Sequence, residues 1–451
     1  MTIRLHEKLA YGLGDFASGL VLNTLTLYLM FFYTDTFGIS AAAAGTLLFV
    51  ARTWDAFVDL GMGAVVDRTR SRWGQARPYM LFGAPLLALA AVATFTVPGG
   101  DAGSKLVYAW VSYCALMMAY SLVNIPYSAL PGLMSDDSDQ RSRLAAFRMF
   151  FAFSGWLTVS AVVMPLIQTL GQGDKARGYQ LGIGAMATVA MLLFWVCFAF
   201  TRERVQRPRP TGGRASLLRD LRALAASRAW RCTFVAGILV FMSLSLPSGL
   251  TIYFINYVAH QPAWIAGFFV CGNLGMIAGV LASDRLTRHI DKRSVVVAAA
   301  LLAGLVDLMF LVVDPSNRVI LYSWFFVGSL FKGATTPIVW AMIADTADSI
   351  EADSGRPVQG LASSTKAFAA KLGLGVGGGL GGVVLAMLGY QAGRPQTPEV
   401  EHGLVMVMAL GPAACNLGIA LAYTLYPLTR SRMLQVRDRL LAVRQARVMP
   451  G

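Results

Sequence analysis

The sequence predicts an all-α membrane protein of twelve transmembrane helices, arranged as two halves of six. Three observations lead there. Of 451 residues, 56% are apolar and only 14% are charged, whereas a soluble domain carries about 25% charge. Apolar stretches of about 20 residues, the length that crosses a bilayer, recur along the whole chain. They are continuously apolar rather than alternating, so helices and not a closed barrel satisfy the backbone in lipid. The apolar content also excludes a disordered chain.

The segments run at approximately 9–33, 41–66, 78–98, 105–131, 146–170, 179–200, 231–258, 263–286, 294–313, 319–344, 359–389 and 403–427. Spans of this length suit tilted helices. The first carries Asp15 and continues to Tyr33. That is too long for the apolar core of a cleaved signal peptide. Asp15 near the start of helix one either complements its positive end or is a functional candidate.

The net charge is +14, from 38 Lys and Arg against 24 Asp and Glu. Its distribution follows the loops. Arg68, Arg70, Arg72 and Arg77 follow segment two; Arg202, Arg204, Arg207, Arg209, Arg214 and Arg219 crowd 201–230; Arg430, Arg432, Arg437 and Arg439 follow segment twelve. This positive-inside pattern places those loops and both termini on the cytoplasmic side of the membrane. It accounts for the basic balance without nucleic acid. The stretch 201–230, with Pro208, Pro210, Gly212 and Gly213, reads as a linker. It joins an N-terminal half, 1–200, to a C-terminal half, 231–451.

Cys114, Cys197, Cys232, Cys271 and Cys415 form no CxxC pair, and the four histidines show no ligand spacing. No metal site, disulfide framework or cofactor is expected. A membrane enzyme lacks support, because no nucleophile–base pair stands out. A non-transporting receptor would be expected to carry a soluble signalling domain, which the sequence does not contain.

An internal repeat relates the halves. Segment two ends in VVDRTRSRWGQAR, with Asp67, Arg68 and Arg72; segment eight ends in ASDRLTRHIDKR, with Asp284 and Arg285. Segments four and ten each carry a proline, then acids, then arginine: Asp136 and Arg141 in the first copy, Asp345 and Arg356 in the second. Two six-helix halves in the same orientation match the major facilitator arrangement. These charges are candidates for structural or gating roles.

Ionisable residues inside membrane helices cost about 2.5–3.5 kcal/mol each and are functional candidates. ARTWDAFVD places Arg52, Asp55 and Asp59 on one face of helix two. Two carboxylates one turn apart in low dielectric either share a proton or hold a small cation through oxygen. The alternative is a structural network neutralised by Arg52. On helix four, Tyr120, Ser121, Asn124 and Ser128 form a polar stripe, either interhelical glue or a cavity lining; Ser121 could add a hydroxyl beside the aspartates. Arg148 opens helix five and reads as a snorkelling or a functional cation. Lys371 is flanked by apolar and small residues within helix eleven. Trp340 reads as a packed aromatic or as a stacking platform for a sugar ring. The run GLGVGGGLGG contains a formal GxGxxG at Gly373, Gly375 and Gly378. No strand precedes it, so close helix approach explains it better than a nucleotide.

Several stretches in unbroken order resemble the glycoside–pentoside–hexuronide cation symporters, a family within the major facilitator superfamily. They are KLAYGLGDFAS, FFYTDTFGIS, DAFVD, SRWGQARPY, SLVNIPYSAL, RLAAFRMF, ADTADSIEADSG and the Lys371 region. AAAAGT, YSLVNIPY, GSKLVYAW and QTPEV look most like the glucuronide carriers; the melibiose carriers are more distant. The resemblance implies a cation site at Asp55, Asp59 and Ser121. It implies a sugar site from Asp15, Ser18 and Asn23 on helix one, Tyr120, Asn124 and Ser128 on helix four, and Arg148, Trp340 and Lys371.

Melibiose-type carriers have acids where this chain has Gly19 and Asn124, and a tryptophan where it has Ser128. These departures argue against galactosides. Val58 stands where sodium-using relatives place a polar side chain, which favours the proton over sodium as the coupling ion. The loop SIEADSGRPVQG also departs from the family pattern, and nothing in the sequence explains it. The expectation is a proton-coupled glycoside or hexuronide symporter working by alternating access; an amphipathic lipid such as a lysolipid is the alternative cargo. Arg148 and Lys371 make the substrate site more positive unless Asp15 reaches in, and an unpaired cation would favour a hexuronide.

Overall fold

The computed structural model describes residues 3–205, 222, 224–354, 359–436 and 438–439. Most of the 201–230 linker, and Arg356, lie outside the described residues. Twelve long helices run through the rest: α1 (Leu5–Phe31), α2 (Ala41–Arg68), α3 (Arg77–Thr94), α4 (Ala102–Met134), α5 (Ser138–Gly171), α6 (Lys175–Phe200), α7 (Arg228–Tyr253), α8 (Ile265–His289), α9 (Lys292–Met309), α10 (Arg318–Ser354), α11 (Gln359–Met387) and α12 (Pro398–Thr424). There is no strand among the described residues. Eleven helices contain an 18-residue window apolar enough to cross a membrane; α9 carries Lys292, Arg293 and Asp307 within its 18 residues and falls short.

The helices outrun the apolar segments. Helix α5 begins at Ser138, two turns before the apolar run, because the Asp137 carboxylate accepts from the Asp139 amide and caps it. Helix α10 continues to Ser354 through a polar stretch. Asp101, Asp174 and Asp291 cap α4, α6 and α9 in the same manner. At their other ends, α1 and α7 widen into π-helical turns, Phe32–Phe37 and Phe254–Val258. Apolar content alone does not signal them.

The chain forms two compact units. The first comprises Met1–Pro210, Ser248–Val270 and Gly378–Glu401. Within it α1 packs on α5 and α6, α3 on α4 and α6, and α2 on α4. Small residues permit close crossings: Gly45 of α2 lies against Gly379 and Gly382 of α11, where a side chain would meet backbone. The second unit comprises Thr211–Pro247, Cys271–Gly377 and His402–Gly451. Its core gathers Val240 of α7, Val296 of α9, Ile338 and Met342 of α10, and Ile419 and Tyr423 of α12. In α11, Gly373 and Gly377 lie against Ile238 and Ser245 of α7, so the glycine run serves close packing.

The chain leaving α6 is strapped to the first unit. The Glu203 carboxylate accepts from the amides of Gln75, Ala76 and Arg77 at 2.7, 2.8 and 3.0 Å, at the positive end of α3. The Arg204 guanidinium reaches buried Glu7 at 2.6 Å. The amides of Arg204 and Val205 both donate to the Leu133 carbonyl, at 2.8 and 2.9 Å. Of the repeat charges, Asp67 lies in the last turn of α2, Arg68 and Asp136 are exposed, and Arg141 is half-buried. Arg72 lies over the Trp73 ring. In the second unit Asp345 pairs with Lys292 at 2.7 Å. Asp284 pairs with Arg288 at 2.5 Å, one helical turn on, while its neighbour Arg285 is exposed.

Candidate functional site

Helices α2 and α4 build the acidic centre of the first unit. Asp55 is buried and Asp59 half-buried, one turn apart on α2. Ser121 of α4, 1% exposed, stands between them. Its Oγ lies 2.6 Å from Asp55 Oδ1 and 2.6 Å from Asp59 Oδ1. A hydroxyl has one hydrogen to donate, whereas an ionised carboxylate only accepts. Both short contacts are hydrogen bonds only when one aspartate is itself protonated and donates to Oγ. Buried Arg52, one turn before Asp55, donates to Thr26 Oγ1 at 3.3 Å and lies beside the Tyr113 phenol.

Asp15 does reach inward. Arg148 Nε donates to Asp15 Oδ1 at 3.0 Å, joining α1 to α5. The guanidinium lies 5.5 Å from the centre of the Tyr127 ring, which stacks on Tyr11. Arg148 therefore neither snorkels alone nor leaves an unpaired positive charge, and Asp15 does more than complement the start of α1. Along the same helices, Ser18 Oγ donates to Asn124 Oδ1 at 3.4 Å, and buried Asn23 lies beside Gly19. Tyr120 is buried and Ser128 exposed.

The remaining expected residues belong to the second unit. Trp340 of α10 is half-buried, with Phe241 of α7 set T-shaped against it at 5.7 Å. Its ring also carries a cation absent from the sequence reading: Lys366 Nζ of α11 lies 3.3 Å from the ring centre. Lys371, half-buried, follows five residues further along α11.

Two more polar clusters escaped the sequence reading. In the second unit Lys332 of α10 pairs with Asp307 of α9 at 2.7 Å, and Asn416 of α12 donates to the other carboxylate oxygen at 2.8 Å. In the first, Asp35 collects hydroxyls. Its Oδ1 accepts from Tyr257 at 2.8 Å and Tyr390 at 2.7 Å, and its Oδ2 from Thr34 at 2.6 Å. Tyr253 meets the same Thr34 hydroxyl at 2.7 Å. Tyr257 also lines a cavity of about 600 Å³ with Phe31, Gln168, Tyr179 and Asn256. Both signals were present as ionisable residues in apolar runs, in GLVDLMF, LFKGATT and FFYTDTF.

A family model described as MFS/sugar transport protein matches residues 10–430. The inner membrane symporter YicJ of Escherichia coli is 33% identical over 96% of this chain and 94% of its own. The isoprimeverose transporter of Lactiplantibacillus pentosus is 33% identical over 89% of this chain and 84% of its own. The glucuronide carrier protein homolog of Escherichia coli is 31% identical over 94% and 93%. These relatives are membrane transporters, not enzymes, and they share the chain almost end to end. With its helical, polytopic architecture and its buried or half-buried charges on α1, α2, α5 and α11, the chain belongs to the MFS/sugar transport protein family, and within it to the glycoside–pentoside–hexuronide cation symporters.

Proposed function

We propose that this sugar symporter couples the uptake of a glycoside to a proton, with Asp55 and Asp59 as the proton site. The single observation that carries the coupling is Ser121, whose one hydroxyl stands 2.6 Å from each of the two carboxylates. That arrangement suits a shared proton. Val58, apolar and between the aspartates, offers no further oxygen to sodium. Protonation removes the repulsion within the pair and makes sugar binding favourable. Sugar and proton together then permit the change of access, since coupling requires each ligand to favour the same state.

For cargo, Asp15 compensates Arg148, so that cation does not by itself favour an anionic sugar. The likeness to an isoprimeverose transporter and to a glucuronide carrier homolog supports a glycoside or hexuronide as the cargo. The loop charges support a cytoplasmic position for both termini, and the likeness to an inner membrane symporter supports a bacterial inner membrane.

The test is thermal stabilisation of purified protein by matched sugars and uronides, at two pH values, with and without sodium. Saturable stabilisation by one glycoside class, stronger at the lower pH and indifferent to sodium, is the expected result. Strong sodium dependence at constant pH would replace the proton; stabilisation by lysolipids alone would replace the sugar. A cysteine introduced at Gly212 should label only from the cytoplasmic side, and labelling from outside would reverse the topology.

A further inference from the structure

The cavity of about 600 Å³ in the first unit is lined by none of Asp15, Asp55, Asp59, Ser121 or Arg148. Its walls come from the end of α1 (Phe31), the last turn of α5 (Gln168), the start of α6 (Tyr179) and the π-helical turn after α7 (Asn256 and Tyr257). In the orientation proposed above, these are the periplasmic ends of the helices. Its volume is that of a small-molecule site, and so is its composition, aromatic and apolar walls with a few polar groups. Asp174 and Lys175 are the charged residues of the lining, adjacent and opposite in sign. Tyr179 adds an observation that points to a ligand. Its ring is 2% exposed, held 5.1 Å from Phe32 and stacked on Phe95 at 6.0 Å. Its hydroxyl is nonetheless buried with no hydrogen-bond partner among the described residues. The other phenol of the lining, Tyr257, already donates to Asp35. A buried hydroxyl left without a partner costs free energy, which a ligand oxygen in the cavity restores.

We propose that this cavity is a second sugar site, distinct from the transport centre, which takes a neutral glycoside whose oxygen accepts from the Tyr179 hydroxyl. This rests on the sugar reading above. A polyhydroxylated ring matches the lining on both counts. Its hydroxyls pair with the side-chain amides of Gln168 and Asn256, each of which offers a carbonyl and an NH2 group. Its C–H faces meet Phe31, Tyr179 and Tyr257. A carboxylate gains nothing comparable, because the one ammonium of the lining has Asp174 as its neighbour and a buried charge without a cation is penalised. The site therefore ranks a glucoside above the matching glucuronide. Tyr257 belongs both to this lining and to the hydroxyls gathered by Asp35, so a sugar held here touches the residue that fastens the end of α7 to the end of α1.

The experiment measures equilibrium binding of a radiolabelled glucoside, and of the glucuronide of the same aglycone, to the purified full chain as wild type, Tyr179→Phe and Gln168→Trp. Tyr179→Phe keeps the ring and removes the hydroxyl. Gln168 is exposed at the edge of the cavity, so Gln168→Trp fills the space without disturbing the buried core. Wild type is expected to bind the glucoside at a site that Gln168→Trp abolishes and that Tyr179→Phe weakens about fivefold, the worth of one neutral hydrogen bond. That site should bind the glucuronide more weakly. Equal unfolding temperatures without sugar show that both variants are folded. Glucoside binding that neither substitution alters overturns the proposal and leaves the sugar reading standing, since the bound sugar is then elsewhere. A radiolabelled lysolipid that occupies the wild type and is lost in Gln168→Trp, with glucoside binding unchanged, gives the cavity to lipid and overturns it too. Failure of the wild type to bind either sugar overturns the sugar reading itself.

Discussion

Ser121 stands between two carboxylates of another helix, 2.6 Å from Asp55 and 2.6 Å from Asp59. One hydroxyl joins α4 to both acids of α2. Whatever changes the protonation of the pair therefore changes the attachment of α4 to α2, and α4 also carries Asn124, which accepts from Ser18 of α1.

This relationship gives the first prediction. Asp55→Asn or Asp59→Asn abolishes concentrative uptake, while exchange of substrate across the membrane survives. Ser121→Ala lowers concentrative uptake by about tenfold, the worth of one hydrogen bond to a charged group. Uptake against a gradient, compared with counterflow in the same vesicles, checks both. Full uphill transport in the two aspartate variants would show the pair to be structural.

Asp15 and Arg148 should behave as a unit. Removing either charge leaves the other without its partner, at about 1–3 kcal/mol. The double variant Asp15→Asn/Arg148→Gln is expected to recover part of that loss. A double-mutant cycle on unfolding temperature measures the coupling. Additive losses would mean that the 3.0 Å contact carries no net energy.

The Lys332–Asp307–Asn416 cluster is expected to hold α9, α10 and α12 together and leave substrate choice alone. Its two charges are 10% and 7% exposed. Asp307→Ala strands the ammonium, at about 3–5 kcal/mol. Thermal unfolding should show a large loss, with the glucuronide-to-glucoside preference unchanged. A changed preference with intact stability would place the cluster in the transport machinery.

A pH effect follows from Tyr390. Burial first, and then the charge of Asp35, push its phenol above the ordinary tyrosine value. The folded protein therefore keeps a proton that the unfolded chain loses near pH 10. The resulting stability is complete below about pH 10 and falls as pH rises further. Melting curves between pH 8 and 11 should decline less steeply in Tyr390→Phe than in wild type. Identical slopes would remove Tyr390 from the titration.

The helices were legible in the sequence because lipid leaves the backbone no alternative. Twelve apolar runs correspond to twelve helices, and Asp55, Asp59 and Ser121 could be paired because one helical turn and one polar stripe predict a shared face. The polar ends of α5 and α10 were not legible, since they lie outside the apolar runs, and the start of α5 depends on the Asp137 cap. Asp15 and Arg148 are 133 residues apart, and no periodicity connects them. Lys366 was overlooked beside Lys371, although both interrupt the same apolar helix. Its contact with Trp340 of α10 emerges only in the folded chain. Asp35 likewise needed tyrosines from two distant turns before its polar surroundings became visible.

The strap after α6 also determines where this chain can be cut. Glu203 and Arg204 are held on α3, α1 and the end of α4, and the described contacts reach Val205. A protease site inserted at Gly212 lies beyond that knot, so a nick there leaves the first unit's end fastened. Transport should survive the cut. The same site placed at Arg202 would loosen Glu203 from the start of α3 and Arg204 from Glu7, and the first unit would lose this fastening even with every membrane helix intact.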